Sequence, residues 1–261
     1  MRPERDNIAA PDLPEGLVWI GEKPRSMPVL TAAGPVLVHF FDYAQLNSVR
    51  TLPYLIEWDR RYREAGLRTI GVQSPRFPFG SDRVNVAAGL RDLGVEFPVA
   101  IDAERDLWHA YGCEGWPSLF LWTTGGALSW FHFGEGEYGG TEEAIQEELR
   151  ELDVLQALPE PMRPLRASDG PGALVMPPTE EIFPEHGDLA IDYEAGGAQA
   201  TVEGQGTLTV TLDDNDPHEL QIEGARLYEL TSHTSHESHR LALSPSPGLQ
   251  IHSVSFAAGI P

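Results

Sequence analysis

The stretch Gly34–Leu55, GPVLVHFFDYAQLNSVRTLPYL, decides the fold. Val36–Phe41 is a near-continuous apolar run bounded by Gly-Pro on one side and Asp42 on the other. A strand with one wet face would alternate, so this one is expected to be buried on both faces. Downstream, Leu52, Leu55, Ile56 and Tyr62 recur at helical spacing. They predict a helix over Thr51–Ala65, with Gly66 as its C-terminal cap. Leu67–Val72 follows as the next buried strand.

Outward from this unit the pattern continues. Leu17–Ile20 and Met27–Leu30 are read as short edge strands around a GEKP turn. After a loop rich in Pro and Phe, Val84–Leu93 is expected to be a short helix closed by Gly94. Phe97–Ile101 is strand-like, and Arg105–Tyr111 is a helix closed by Gly112. Leu119–Trp122 and Leu128–Phe133 make a hairpin over Thr123-Thr124-Gly125-Gly126. Thr141–Leu155 is the last helix, with Thr141 as its cap and carboxylates at the positive end of its dipole. Strands alternating with helices and ending in an antiparallel hairpin and a helix describe a mixed α/β domain.

Residues 156–185 change character, with seven prolines and weak periodicity, and are assigned as a linker. Beyond them short strand-like segments alternate with turns such as DDND and PSPG. They are Ala198–Glu203, Thr207–Leu212, Glu219–Ile222, Arg226–Leu230, Arg240–Leu243 and Gln250–Phe256. That spacing indicates an all-β sandwich. The expected organisation is a lead-in over 1–16, an α/β domain over 17–155, the linker over 156–185 and a sandwich over 186–261.

Bulk properties remove several functions. At 261 residues the chain is long enough for two domains, and 41% hydrophobic residues supply an ordinary core. A formal charge of −22 repels phosphate backbones and anionic membranes, so no nucleic-acid partner is expected. No apolar run is long enough to span a bilayer. The N-terminal MRPERDNIAAPDLPEG has no apolar region after its charges, so no secretory signal is read and a cytoplasmic location is expected. Lys23 is the one lysine, a compositional bias and not a site. Cys113 is the one cysteine, which rules out a disulfide, a zinc knuckle or a dithiol relay within one chain.

Three segments carry a resemblance. VLVHFFDYAQLNSVRTLPYL, EFPVAIDAERDLWHAYGCEGWPSLFL and WFHFGEGEYGGTEEAIQEEL resemble the thioredoxin-like domain of DipZ-type proteins, within the TlpA and redoxin superfamily. GARLYEL and LQIHSVSFAAG resemble, more loosely, the β-sandwich module that follows that domain. The resemblance spans roughly Leu17–Gly259. It implies a thioredoxin fold, a mixed central sheet flanked by helices, followed by a jelly-roll-like sandwich. No stretch of this sequence resembles the membrane-embedded electron-transfer part of DipZ-type proteins, so a stand-alone soluble relative is expected.

The resemblance also implies thiol–disulfide chemistry, in which a thiolate at a helix N-terminus attacks a disulfide and a second cysteine three residues on resolves it. At the matching positions stand Gln45 and Ser48, while Pro53, which would bend the helix, is kept. His39 stands where an acidic residue often lies in the preceding strand, and Phe41 where a Trp often follows. A serine hydroxyl is too weakly acidic to replace the thiol, and Gln45 cannot attack. Dithiol catalysis is therefore not expected. Trp116-Pro117 matches the Xaa-Pro position that is cis in this fold. The candidate ligand groove is Tyr43, Gln45, Ser48, Trp116 and Pro117.

Three further features bear on function. Cys113 is a candidate lone thiol, but Glu114 beside it would raise its pKa and no peroxiredoxin-type motif precedes it. His233, His236 and His239 in TSHTSHESH invite a metal reading. Placed between two presumed strands, they are read as a solvated hairpin loop, and no metal or cofactor is expected. Glu135 and Glu137 in GEGEYGG are read as part of a turn into the last helix, not as an acid–base pair. The expected function is a thioredoxin-fold protein, redox-inactive as a dithiol enzyme, that binds a peptide, protein or small ligand. The alternatives are a single-cysteine redox enzyme using Cys113, or carbohydrate binding through the sandwich.

Overall fold

The computed structural model describes residues 1–3, 8–152 and 157–261. It divides into two compact units, Met1–Pro164 and Leu165–Pro261. Part of the expected lead-in (residues 4–7), the end of the expected last helix (153–155) and the first linker residue (156) lie outside the described residues.

The first unit is built on β1 (Val18–Ile20), α1 (Met27–Thr31), β2 (Val36–Phe41), α2 (Leu46–Tyr62), β3 (Arg68–Gln73), α3 (Arg83–Asp92), β4 (Val99–Ile101), α4 (Asp106–Ala110), β5 (Ser118–Trp122), β6 (Leu128–Phe133) and α5 (Tyr138–Arg150). Its six strands form one sheet in the order β1-β4-β3-β2-β5-β6. β2 pairs parallel with β3 and antiparallel with β5, so the apolar run sits in the middle of a mixed sheet. Every residue of β2 is buried, as expected of a strand covered on both faces. Val36, Val38 and Phe40 enter one apolar cluster with Trp108, Tyr111, Phe120 and Trp122, and Leu37, His39 and Phe41 take the other pleat face.

Some expected elements differ. Met27–Leu30, read as an edge strand, is the helix α1. Pro28 occupies its first turn, where the missing N–H does no harm, and Met27 and Thr31 bury one side. α2 begins five residues earlier than the apolar spacing predicted, because Gln45 caps it. Thr141 does not cap α5. It lies inside the helix, and the cap is Glu137 in a left-handed conformation with φ of 51°.

The second unit holds β7 (Leu189–Glu203), β8 (Gln205–Leu212), β9 (His218–Glu223), β10 (Arg226–Pro245) and β11 (Gln250–Ala257). They form an all-antiparallel sheet in the order β11-β7-β10-β8-β9. The long strands β7 and β10 run its whole length, and register shifts in their pairing fold it over. Ile191, Tyr193 and Ala195 before the break, and Ala198, Ala200 and Val202 after it, enter a single apolar cluster. The inward parity thus switches at Gly196–Gly197, where the pairing with β10 shifts register, and a single sheet holds the apolar cluster of this β-rich unit. The two segments expected as separate strands, Arg226–Leu230 and Arg240–Leu243, are the ends of the single strand β10, so the histidine run between them is not a hairpin loop. The expected linker 156–185 is divided between the units: Met176 pairs with Gly259, and Ile182 with Val254.

Candidate functional site

The N-terminus of α2 follows β2 after only four residues, and its geometry shows what Gln45 and Ser48 do. Gln45 is the N-cap residue, and its side-chain Oε1 accepts a bond of 2.7 Å from the Ser48 amide. Ser48 is fully buried, and its Oγ accepts from the Asp42 amide at 3.2 Å. The free helix N–H that would stabilise a thiolate is thereby used by a neutral carboxamide from within the chain. No nucleophile stands at the terminus.

Asp42 organises the approach. Its Oδ1 accepts from the Ala44 amide at 3.0 Å and from Gln73 Nε2 at 3.3 Å, and its Oδ2 accepts from the Arg76 amide at 2.8 Å. Burial raises its pKa, and these donors pull it back. Gln73 at the end of β3 also accepts from the Tyr43 amide at 2.9 Å, so the loops after β2 and β3 are tied together. The residues 73–76 carry no local signal for this role, being some thirty positions from the helix they support. In the sequence Asp42 marks only the boundary of the apolar run, so its organising role is also a finding of the structure.

Trp116 and Pro117 precede β5, and their peptide bond is cis. Trp116 Nε1 donates to the Ser74 carbonyl at 2.8 Å, and its ring lies 4.4 Å from that of Trp108. The Arg76 guanidinium sits 6.0 Å from the Trp116 ring centre and 5.4 Å from that of Phe77. Of the five residues assigned to the groove, Tyr43, Ser48 and Pro117 are buried, whereas Gln45 and Trp116 are partly exposed. The accessible chemistry is therefore that of Gln45 and Trp116, with Arg76 and Phe77 added by the structure. Tyr43 instead packs beneath α3, its ring edge-on to Phe79 at 6.2 Å.

The remaining candidates fall elsewhere. His39 is buried at the centre of the sheet and stacks on Phe41 at 5.4 Å. Neither of its ring nitrogens has a hydrogen-bond partner among the described residues. Burial lowers its pKa to about 3, so it is a neutral core residue. Cys113 is half-buried against the apolar cluster that holds Trp108. Burial pushes its thiol up to about 12 despite a bond with Ser118, and the nearby Asp102 carboxylate adds to the rise. Glu135 pairs with Arg50 of α2 at 2.7 Å, and Tyr138 stacks on Tyr54 of the same helix at 3.7 Å. The GEGEYGG loop is thus a clamp on α2.

In the second unit, β10 carries His233, His236 and His239. The His236 amide donates to the Ile260 carbonyl at 2.7 Å, and its backbone packs against Gly259. His233 and His239 stack on one another with ring centres 4.2 Å apart. Asp213 accompanies them, bonded to His239 Nδ1 at 2.7 Å.

No protein-family model matches the chain. It is 27% identical over 95% of its length to the protein DipZ of Mycobacterium bovis and of Mycobacterium tuberculosis, spanning 42% of those proteins. It is 30% identical over half its length to human NHL repeat-containing protein 2, of which the match spans 18%. A solved thioredoxin-like superfamily protein superimposes with a TM-score of 0.50 at 20% identity, covering 59% of this chain and all of that one. The resemblance carried by the α2 and GEGEY segments is thereby borne out. The chain is a DipZ-like, thioredoxin-fold protein with a C-terminal β-rich module, and it lacks a Cys-x-x-Cys pair.

Proposed function

We propose that this chain is a binding protein built on a redoxin scaffold, without dithiol activity of its own. The observation that carries the reading is the internal cap: Gln45 Oε1 holds the Ser48 N–H that a thiolate would need. Beside it, the partly exposed Trp116 ring, Arg76 and Phe77 offer an aromatic and cationic rim next to the backbone that leads into β5. Such a rim suits an extended peptide segment, whose main chain pairs with backbone and whose side chains rest on flat rings. A single-cysteine mechanism through Cys113 is disfavoured, because burial keeps that thiol protonated.

Insulin-disulfide reduction by dithiothreitol tests the proposal. The wild-type chain is expected to add nothing to the uncatalysed rate, while a Q45C/S48C variant gains turnover because the scaffold around α2 is intact. Substantial turnover by the wild-type chain would sink the reading.

A further inference from the structure

A regular strand rises about 3.3 Å per residue, so His233 and His239 would stand about 20 Å apart along β10. Their rings instead stack at 4.2 Å. The pairing with β7 explains the difference: Ser232 faces Gly197 and Glu237 faces Ala195, so β10 advances five residues while β7 advances two. The surplus residues loop out as a bulge, and the bulge returns His233 to the side of His239. Glu237 joins them because it shares a pleat face with His239. Bulges that re-aim side chains are built features, not defects.

The result is a compact donor set. One ligand atom from each of His233, Glu237 and His239 lies within 4.8 Å of the others. Asp213 Oδ2 is 2.7 Å from His239 Nδ1, and Glu237 Oε2 is 3.3 Å from His239 Nε2. A carboxylate accepting from Nδ1–H fixes the ring, as is common for metal-binding imidazoles, and Nε2, which donates to Glu237 in the ion-free chain, is the atom an ion would take in place of its proton. Tyr193 holds His233, its hydroxyl 2.8 Å from Nε2. A surface cleft of about 460 Å³, lined in part by Asp192, Tyr193, Asp213 and His239, gives an ion a way in.

We propose that His233, Glu237 and His239 form a binding site for a divalent transition-metal cation of the zinc class, with Asp213 as the positioning carboxylate of His239. Two imidazoles and one carboxylate are a donor set that suits zinc, and also copper(II) or nickel(II), more than magnesium or calcium. A tetrahedral ion with bonds of about 2.1 Å needs ligand atoms about 3.4 Å apart. Closing from within 4.8 Å requires only side-chain rotations of half-buried residues.

The test is a competition titration of the full-length chain with zinc against a chromophoric chelator, repeated with cobalt(II) to read the visible bands of a tetrahedral site. One ion per chain is expected. E237Q should weaken binding at least tenfold, H233Q/H239Q should abolish the saturable site, and D213N should weaken it about 10- to 100-fold. H218Q, remote from the cluster in the sequence of β9, should leave it unchanged. Far-UV circular dichroism checks that each variant folds. If H233Q/H239Q does not fold, E237Q decides, because its side chain is partly exposed. Absence of saturable binding, or binding unchanged in E237Q, overturns the proposal.

Discussion

His39 shows how a residue changes meaning between the sequence and the fold. In the sequence it interrupts an apolar run, at a position the resemblance gives to an acidic proton carrier. In the sheet it is a neutral filler stacked on Phe41 with no polar partner among the described residues. The unfolded chain binds a proton at this ring as the pH drops below about 6.5, whereas the folded chain does so only near 3. Its contribution to stability is therefore fully present above 6.5 and lost as the pH falls, at up to about 1.4 kcal/mol per pH unit. An H39L variant removes this dependence. The buried carboxyl of Asp42 acts in the opposite sense, because its folded pKa is raised, but it is common to both proteins and cancels in their difference. The wild type should thus lose stability relative to H39L between pH 6.5 and 4 in urea titrations. A difference that stays flat across that range would mean the ring is hydrated or charged. Cys113 gives a second check at this scale. With its thiol raised to about 12, alkylation by iodoacetamide at pH 8 should run at least about 100-fold slower than that of a free cysteine. Labelling at the free-thiol rate would reopen a redox role.

Among the elements, those with a sustained apolar period were legible and those set by caps or distant partners were not. β2 and β3 could be read because burial on both faces leaves no polar alternation to confuse them. The start of α2 could not, since Gln is a poor cap by local preference and serves here by reaching the backbone N–H three residues on, which the sequence does not mark. β10 was split in two by its polar middle. The bulge against β7 that unites it is a property of the pairing and not of the sequence. The candidate site divides the same way. Gln45, Ser48 and Trp116-Pro117 could be picked out by resemblance alone, while Arg76, Phe77 and Asp213 reach their sites from other loops. α3 supplies a prediction of its own. It buries Val86, Gly89 and Leu90 on one side, and a Cβ at Gly89 would lie 2.4 Å from the Tyr43 ring. That ring is buried and its backbone is tied to Gln73, so it has little room to retreat. Alanine adds about 1 kcal/mol of helix propensity, and overpacking costs about 1–3 kcal/mol. G89A should therefore lose up to about 2 kcal/mol in chemical denaturation, against the gain expected of an exposed helical glycine. A more stable G89A would show that Tyr43 repacks freely.

Over the whole chain, the order of elements in the first unit follows from apolar periodicity, whereas the boundary between the units follows from pairings that span many residues. Proline density marked 156–185 as a linker. Yet proline removes donors without preventing its neighbours from pairing. The Met176 amide donates to the Gly259 carbonyl at 2.8 Å, and Ile182 and Val254 exchange bonds of 2.9 and 2.8 Å. Thr179 and Glu194 are joined at their backbones by a bond of 2.9 Å, and Ser255 donates to Glu181 at 2.8 Å. Ile182 also packs against the apolar cluster of the second unit. Each such bond contributes about 1 kcal/mol net, and covering β11 removes part of an open sheet edge. A fragment of residues 165–261 should therefore be more stable than one of residues 186–261, with a Tm higher by several degrees. The shorter fragment should also be more prone to associate through the uncovered β11. Calorimetry and sedimentation of the two fragments check this. Equal Tm values, with both fragments monomeric, would return residues 165–185 to the role of a linker.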